Sequence, residues 1–282
     1  MIAVTGANGQ LGQWVIKSLL TKTPAESIIA LVRNPEKAAS LKSMGVQVRK
    51  ADYNEPDSLT QALIDVEKLL LISSSEVGQR VQQHAAVIDA AKAARVSLLV
   101  YTSILKADTS PLILAQEHKE TEALLKASGL PVAILRNGWY TENYTESLAG
   151  VLQAGAVLGA AEEGRLYTAS RQDYAEAAAV VLTSPNQVGK IYELAGDEGF
   201  TLAEYAQKIS KQTSKEIPYK NLAMNAFTEL LIQVGLPEGF AGALADSEVH
   251  AANGWLAEDS QTLSRLIGRP TTPLSEAITA AL

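Results

Sequence analysis

Short apolar, β-branched runs recur at 2–5, 28–32, 46–49, 68–72, 98–102 and 132–135, with a seventh at 191–194. Between them the apolar residues fall at helical rather than alternating spacing. Leu11, Val15, Ile16 and Leu19 share one helical face, as do Val81, Ala85, Ile88 and Ala91 in the stretch that follows Glu76. Asp57 or Ser58 is placed to cap a helix through Leu59, Leu63 and Ile64, and Gly129 to end one carrying Leu124 and Leu125. Strands alternating with helices imply right-handed crossovers and a parallel sheet covered on both faces, an α/β doubly wound fold. After Tyr140 the alternation fails. Residues 145–185 are alanine-rich and helical around a glycine-rich segment at 155–164, and from Thr201 onward the chain reads as helices broken by Pro237 and Pro270. The predicted organisation is a nucleotide-binding domain at 1–144 and a smaller, mainly helical lobe at 145–282. That lobe is expected over the carboxyl edge of the sheet, with residues from about 165 to 195 returning to the main domain.

Composition narrows the functional classes. The 282 residues are 47% hydrophobic and 20% charged, as in an ordinary globular protein, and no low-complexity tail or charge block interrupts them. A net charge of −7 without a basic run disfavours nucleic acid as a partner, and three phenylalanines make a base-stacking platform improbable. The absence of cysteine excludes disulfides, thiolate catalysis and iron–sulfur clusters. His84, His118 and His250 are too scattered to suggest a metal site. With a first strand at residue 2 and no apolar run of the ~20 residues a bilayer requires, neither a targeting peptide nor membrane insertion is expected. The expectation is a cytoplasmic protein, and a homodimer is compatible with it.

The first strand runs into Thr5-Gly6-Ala7-Asn8-Gly9-Gln10-Leu11-Gly12, a glycine-spaced turn opening a helix. Gly6 permits a sharp turn, Gly9 close approach to a pyrophosphate, and Gly12 tight packing of the helix on the strand, the chemistry of a Rossmann-type dinucleotide cradle. The spacing is G-x-x-G-x-x-G, the form found in extended and atypical short-chain dehydrogenases. Arg33 ends the second strand where an NAD-selecting fold carries a carboxylate for the ribose 2′-OH. A guanidinium there suits a 2′-phosphate, so NADPH is the predicted cofactor. Asp52, after the third strand, is placed to reach the adenine edge, and Ser73, Ser74 and Ser75, after the fourth, to reach ribose and phosphate.

Short-chain dehydrogenases that reduce ordinary ketones use a Tyr-x-x-x-Lys pair to protonate the emerging alkoxide. None of the nine tyrosines here has a lysine four residues on; Tyr167 comes nearest, with Arg171. The glycine turn, Leu31-Val32-Arg33-Asn34-Pro35, Ala51-Asp52-Tyr53, the 70–80 segment Leu-Leu-Ile-Ser-Ser-Ser-Glu-Val-Gly-Gln-Arg and the 135–144 segment Leu-Arg-Asn-Gly-Trp-Tyr-Thr-Glu-Asn-Tyr together resemble the NmrA-like atypical short-chain dehydrogenases. The similarity runs over essentially the whole chain and is strongest to their bacterial quinone-reducing branch. The resemblance implies hydride transfer from NADPH to a quinone, without flavin or metal. It also implies cofactor contacts from the Gly6–Gly12 turn, Arg33, Ser73 to Ser75, Thr102, Asn137, Gly138, Trp139, Tyr140, Thr141 and Glu142. Trp139, Tyr140, Asn143 and Tyr144 bring aromatic and polar surface suited to the acceptor ring. His118 stands where many relatives carry a lysine four residues before a glutamate, here Glu122, and is the candidate catalytic residue. A non-catalytic NADP(H)-binding redox sensor acting through a protein partner is the alternative that the resemblance leaves open.

Overall fold

A computed structural model describes residues 1–282. All seven expected strands form: β1 (Ile2–Val4), β2 (Ile28–Val32), β3 (Gln47–Lys50), β4 (Lys68–Leu71), β5 (Leu98–Ile104), β6 (Val132–Asn137) and, after a short β7 (Val157–Gly159), β8 (Ile191–Leu194). A ninth, β9 (Tyr219–Asn221), pairs in parallel with β7, and neither was foreseen, because each is a strand only through pairing with a short segment distant in sequence. The main sheet is parallel in the order β3-β2-β1-β4-β5-β6-β8. Strand order therefore reverses beside β1, which lies between β2 and β4 and places a crevice beyond the carboxyl ends of β1 and β4. Every residue of β2 and β5 is buried, whereas Gln47 and Lys50 of edge strand β3 are exposed.

Thirteen α-helices accompany the strands, the last four following β9. The first five are α1 (Gln10–Leu20), α2 (Ala39–Ser43), α3 (Pro56–Ala62), α4 (Arg80–Ala93) and α5 (Ile113–Ser128). Then come α6 (Glu142–Thr145), α7 (Leu148–Ala154), α8 (Arg171–Thr183) and α9 (Leu202–Thr213). The last four are α10 (Met224–Gln233), α11 (Glu238–Ala251), α12 (Thr262–Ile267) and α13 (Leu274–Ala281). α5 ends at Gly129 as expected, with φ +76°. The cap of α3 differs from expectation: Glu55 takes that position and Pro56 begins the helix, so Asp57 and Ser58 lie inside the first turn. Ser58 Oγ instead donates to the Glu55 carbonyl at 2.7 Å.

The chain divides into two units. The first comprises Met1–Ile104, Glu117–Asn137 and Arg171–Tyr192; the second comprises Leu105–Gln116, Gly138–Ser170 and Glu193–Leu282. The division falls at 137/138 rather than 144/145, the returning segment is 171–192, and residues 105–116 leave the first unit. Within the second unit Lys106 Nζ donates to the carbonyls of Gly254 and Ala257 at 3.2 and 2.7 Å, and the Ile113 amide donates to Asp246 at 2.9 Å. No local pattern announces such distant partners. Within the first unit, α8 buries Ala175, Ala178, Ala179, Val181 and Leu182, and packs on α1.

Candidate active site

The first unit builds a phosphate cradle at the end of β1. Gly6 turns the chain with φ +57°, a conformation that a side chain disfavours, and its carbonyl accepts the Gly9 amide at 2.9 Å. Gly9 is the N-cap of α1 and offers no side-chain hydrogen bond, so the leading amides of the helix remain available to an anion. A Cβ on Gly12 would lie 2.7 Å from Ala7 Cα and 2.9 Å from the Gly6 carbonyl carbon, with the Gly6 oxygen closer still. The third glycine thus lets the helix press on the turn itself, not on the strand. Gly6, Asn8, Gly9 and Gln10 are exposed, while Ala7, Leu11 and Gly12 are buried beneath them.

Beside the cradle, Arg33 is already paired: its Nη1 lies 2.9 Å from Glu76 Oε1. Asp52 Oδ1 accepts the Asn54 amide at 2.9 Å, shaping the turn after β3. Tyr53 reaches across to the Ile72 carbonyl at 2.9 Å and to the Thr5 hydroxyl, tying β1 to the end of β4. The serine loop is held from beneath. The Ser73 amide donates to Thr102 Oγ1 at 2.9 Å, the Ser74 amide to His84 Nε2 at 2.9 Å, and Arg80 Nε to the Ser74 carbonyl at 2.6 Å. Thr102 is therefore buried support for the loop. Ser75 is exposed at its tip. Arg80 is fixed by Glu117, whose other oxygen accepts the Gly78 amide at 3.0 Å.

Both histidines of this unit are buried and neutral. Because His84 Nε2 accepts from Ser74, its proton sits on Nδ1, 2.9 Å from Thr121 Oγ1. Burial, reinforced by Arg80, pushes its pKa down to about 3. His118 Nδ1 lies 2.8 Å from the Tyr101 hydroxyl, and burial followed by the charge of Arg80 holds its pKa well below the usual imidazole value. Burial raises the Tyr101 phenol in turn, so it keeps its proton. The pair supplies hydrogen bonds and no imidazolium at neutral pH. Glu122, four residues beyond His118, is occupied elsewhere: it accepts from Ser103 Oγ at 2.6 Å and from Arg136 Nε and Nη2 at 3.0 and 2.7 Å.

Asn137, the last residue of β6, is 4% exposed, and its Oδ1 has no hydrogen-bond partner. A buried acceptor left unpaired in this way is what a bound amide donor would satisfy. In the second unit, the Gly138 amide donates to the Leu194 carbonyl at 2.7 Å, and Tyr140 bridges to Ala169. The Thr141 hydroxyl lies 2.8 Å from that of Thr168. Trp139, Tyr140 and Glu142 are half-buried and Asn143 is exposed. Tyr144 is buried edge-on against Phe200 and Tyr205, and its hydroxyl lacks a partner. Residues 1–282 contain no group of three His, Asp or Glu side chains arranged to hold a metal ion. Sequence reasoning passed over Glu76, Tyr101, His84 and the Arg80–Glu117 pair. Only the 70–80 motif containing Glu76 and Arg80 offered a signal.

Residues 6–185 match the model of an NAD(P)H-binding family. Quinone oxidoreductase 2 of Escherichia coli is 54% identical over 278 residues, covering 99% of this chain and 97% of that protein. The crystal structure of the E. coli NADPH-dependent quinone oxidoreductase complexed with NADPH superimposes with a TM-score of 0.96 over 99% of both chains. Triphenylmethane reductase of Citrobacter sp., solved with NADP(H), is 38% identical with a TM-score of 0.94 over the whole of both chains.

Proposed function

We propose that this chain, which belongs to the NAD(P)H-binding family, reduces quinones with NADPH by direct hydride transfer. The observation that carries the proposal is the whole-chain likeness to a quinone oxidoreductase solved with NADPH. The residues present fit that cofactor. The uncapped start of α1, opened by Gly6, Gly9 and Gly12, suits the pyrophosphate; Arg33 suits the 2′-phosphate; and the unpaired Asn137 Oδ1 suits the carboxamide N–H of nicotinamide. Ser73, Ser74 and Ser75 line the sugar, on a loop that Thr102 and His84 hold in place. We assign Asp52 to the adenine edge, the 138–142 segment to the nicotinamide end, and Trp139, Tyr140, Asn143 and Tyr144 to the acceptor.

When bound, NADPH supplies the hydride. The protein's own groups agree with a quinone as acceptor because none is a strong proton donor: His118 is neutral, Tyr101 holds its proton, and no Tyr-x-x-x-Lys pair exists. A reduced quinone leaves as a phenolate of pKa ~10, which water can protonate, whereas a ketone's alkoxide needs a positioned acid. We assign His118 the role of a neutral hydrogen-bonding group. We place the protein in the cytoplasm, without nucleic acid as a partner; no helix is long and apolar enough to cross a membrane. Sedimentation would test for a homodimer.

Anaerobic mixing of flavin-free protein with NADPH and a benzoquinone, followed at the nicotinamide absorbance, is the deciding experiment. Equimolar oxidation, slowed by deuterium at the transferred C4 position, is expected. Tight NADPH binding without turnover would refute catalysis and favour the sensor.

A further inference from the structure

Arg33 and Glu76, a guanidinium and a carboxylate, are paired with each other beside the glycine turn. Arg33 follows β2 and Glu76 follows β4, with β1 between those strands, so their 2.9 Å ion pair reaches over the end of β1 where the glycine turn begins. The two partners are not equally held. Glu76 Oε2 accepts from Gln83 Nε2 at 2.8 Å, and Gln83, 3% exposed on α4, also donates to Asn54 Oδ1 at 3.2 Å. The Glu76 amide donates to Ser74 Oγ at 3.2 Å. The Arg33 side chain is 70% exposed and has only this partner among the hydrogen bonds described. An exposed pair of this kind is weak and exchanges readily. The guanidinium is free to leave and the carboxylate stays.

We propose that Glu76 is a selectivity residue: it holds Arg33 when no 2′-phosphate is present and opposes that phosphate when it arrives, so the Arg33–Glu76 pair sets the preference for NADPH over NADH. The inference rests on the assignment of Arg33 to the 2′-phosphate. A dianionic phosphate that takes the guanidinium must do so within several ångströms of a fixed carboxylate and must first break the pair. A ribose 2′-OH meets no such repulsion and can donate to that carboxylate, the interaction by which acidic residues favour NAD. Arg33 then makes the protein favour NADPH, and Glu76 limits how strongly.

The test is calorimetric titration of the whole protein at pH 8 with adenosine 2′,5′-bisphosphate and with 5′-AMP, comparing wild type, Glu76→Gln, Glu76→Ala and Arg33→Ala. Both Glu76 variants are expected to bind the bisphosphate about three- to tenfold more tightly, an effect that shrinks in high salt, while 5′-AMP binding is unchanged or weaker. An unchanged ratio of the two affinities, or equal tightening of both ligands, would overturn the proposal. Arg33→Ala separates it from its premise: it should reduce bisphosphate affinity to the level of 5′-AMP. If it does not, the assignment of Arg33 falls and takes the proposal with it.

Discussion

Replacing Gly12 with alanine adds one methyl group where the turn after β1 and helix α1 meet. Its neighbours would be main chain: Ala7 Cα at 2.7 Å and the Gly6 carbonyl carbon at 2.9 Å. Carbon atoms sit comfortably at about 3.5–4.0 Å, so the helix must withdraw from the turn by roughly 1 Å. Overpacking of this kind costs about 1–3 kcal/mol. With an unfolding entropy of about 2.1 cal/mol/K per residue over 282 residues, this lowers Tm by roughly 2–5 °C. The same withdrawal misplaces amides directed at the pyrophosphate. A hydrogen bond to a charged group contributes about 1.5–3 kcal/mol, so losing one weakens NADPH binding roughly 10- to 100-fold. Thermal unfolding and a fluorescence titration with NADPH read the two effects separately. Gly9→Ala is the control for the packing effect alone and should leave Tm nearer the wild-type value, because within the protein its Cβ would meet only the Gly6 oxygen, at 3.2 Å. A Gly12→Ala protein with lowered Tm and wild-type NADPH affinity would refute the cradle while leaving the packing account intact.

Three further outcomes are expected. Buried His84 and His118 have depressed pKa values, so the stability they confer is present above the unfolded value of about 6.5 and lost as pH falls below it. His84 should forfeit about 2 kcal/mol by pH 5, His118 should add to that decline, and His118→Gln should flatten it in urea unfolding; an unchanged slope would show that His118 titrates normally in the folded state. Glu248, buried in the second unit and donated to by the Ala160 amide at 2.6 Å, has a pKa pushed up by burial to about 7. Its stabilising protonated form is present below the unfolded carboxylate range and lost as pH rises through 7. Glu248→Gln should therefore raise stability at pH 8 by up to about 3 kcal/mol and remove the decline that lies between the ordinary carboxylate value of 4.5 and about 7; a destabilised variant would show that the carboxylate form is the favoured one. Arg136→Ala strands the buried Glu122 carboxylate with Ser103 as its one remaining side-chain donor in the network described, and should cost about 3–5 kcal/mol. The double variant Arg136→Ala, Glu122→Ala should recover part of that loss in a double-mutant cycle, and strictly additive losses would refute the coupling.

Strand positions were legible because each apolar run is long enough to show itself: β2 and β8 fall at the expected residues, and β5 and β6 extend only two residues further. The glycine turn was legible for the same reason, since its chemistry lies within eight consecutive residues. Other features could not be read locally. β7 and β9 are three residues each, and they become strands by pairing across more than fifty residues of chain. Residues 105–116 look like a continuation of the first domain until Lys106 and Ile113 meet partners beyond residue 240.

The sequence by itself determined the alternation of strand and helix, the backbone freedom at Gly6, the missing side chain at Gly12, and the presence of a cation at the end of β2, because periodicity, conformational preference, side-chain size and charge are properties of single residues and their neighbours. Tertiary structure decided what those groups became. Sheet order brought Glu76 to Arg33 across 43 residues of chain, and burial beside Arg80 removed the proton from a histidine that the sequence left free to be an acid. Desolvation and long-range pairing depend on which groups share a volume, and that is settled only when the sheet closes around them.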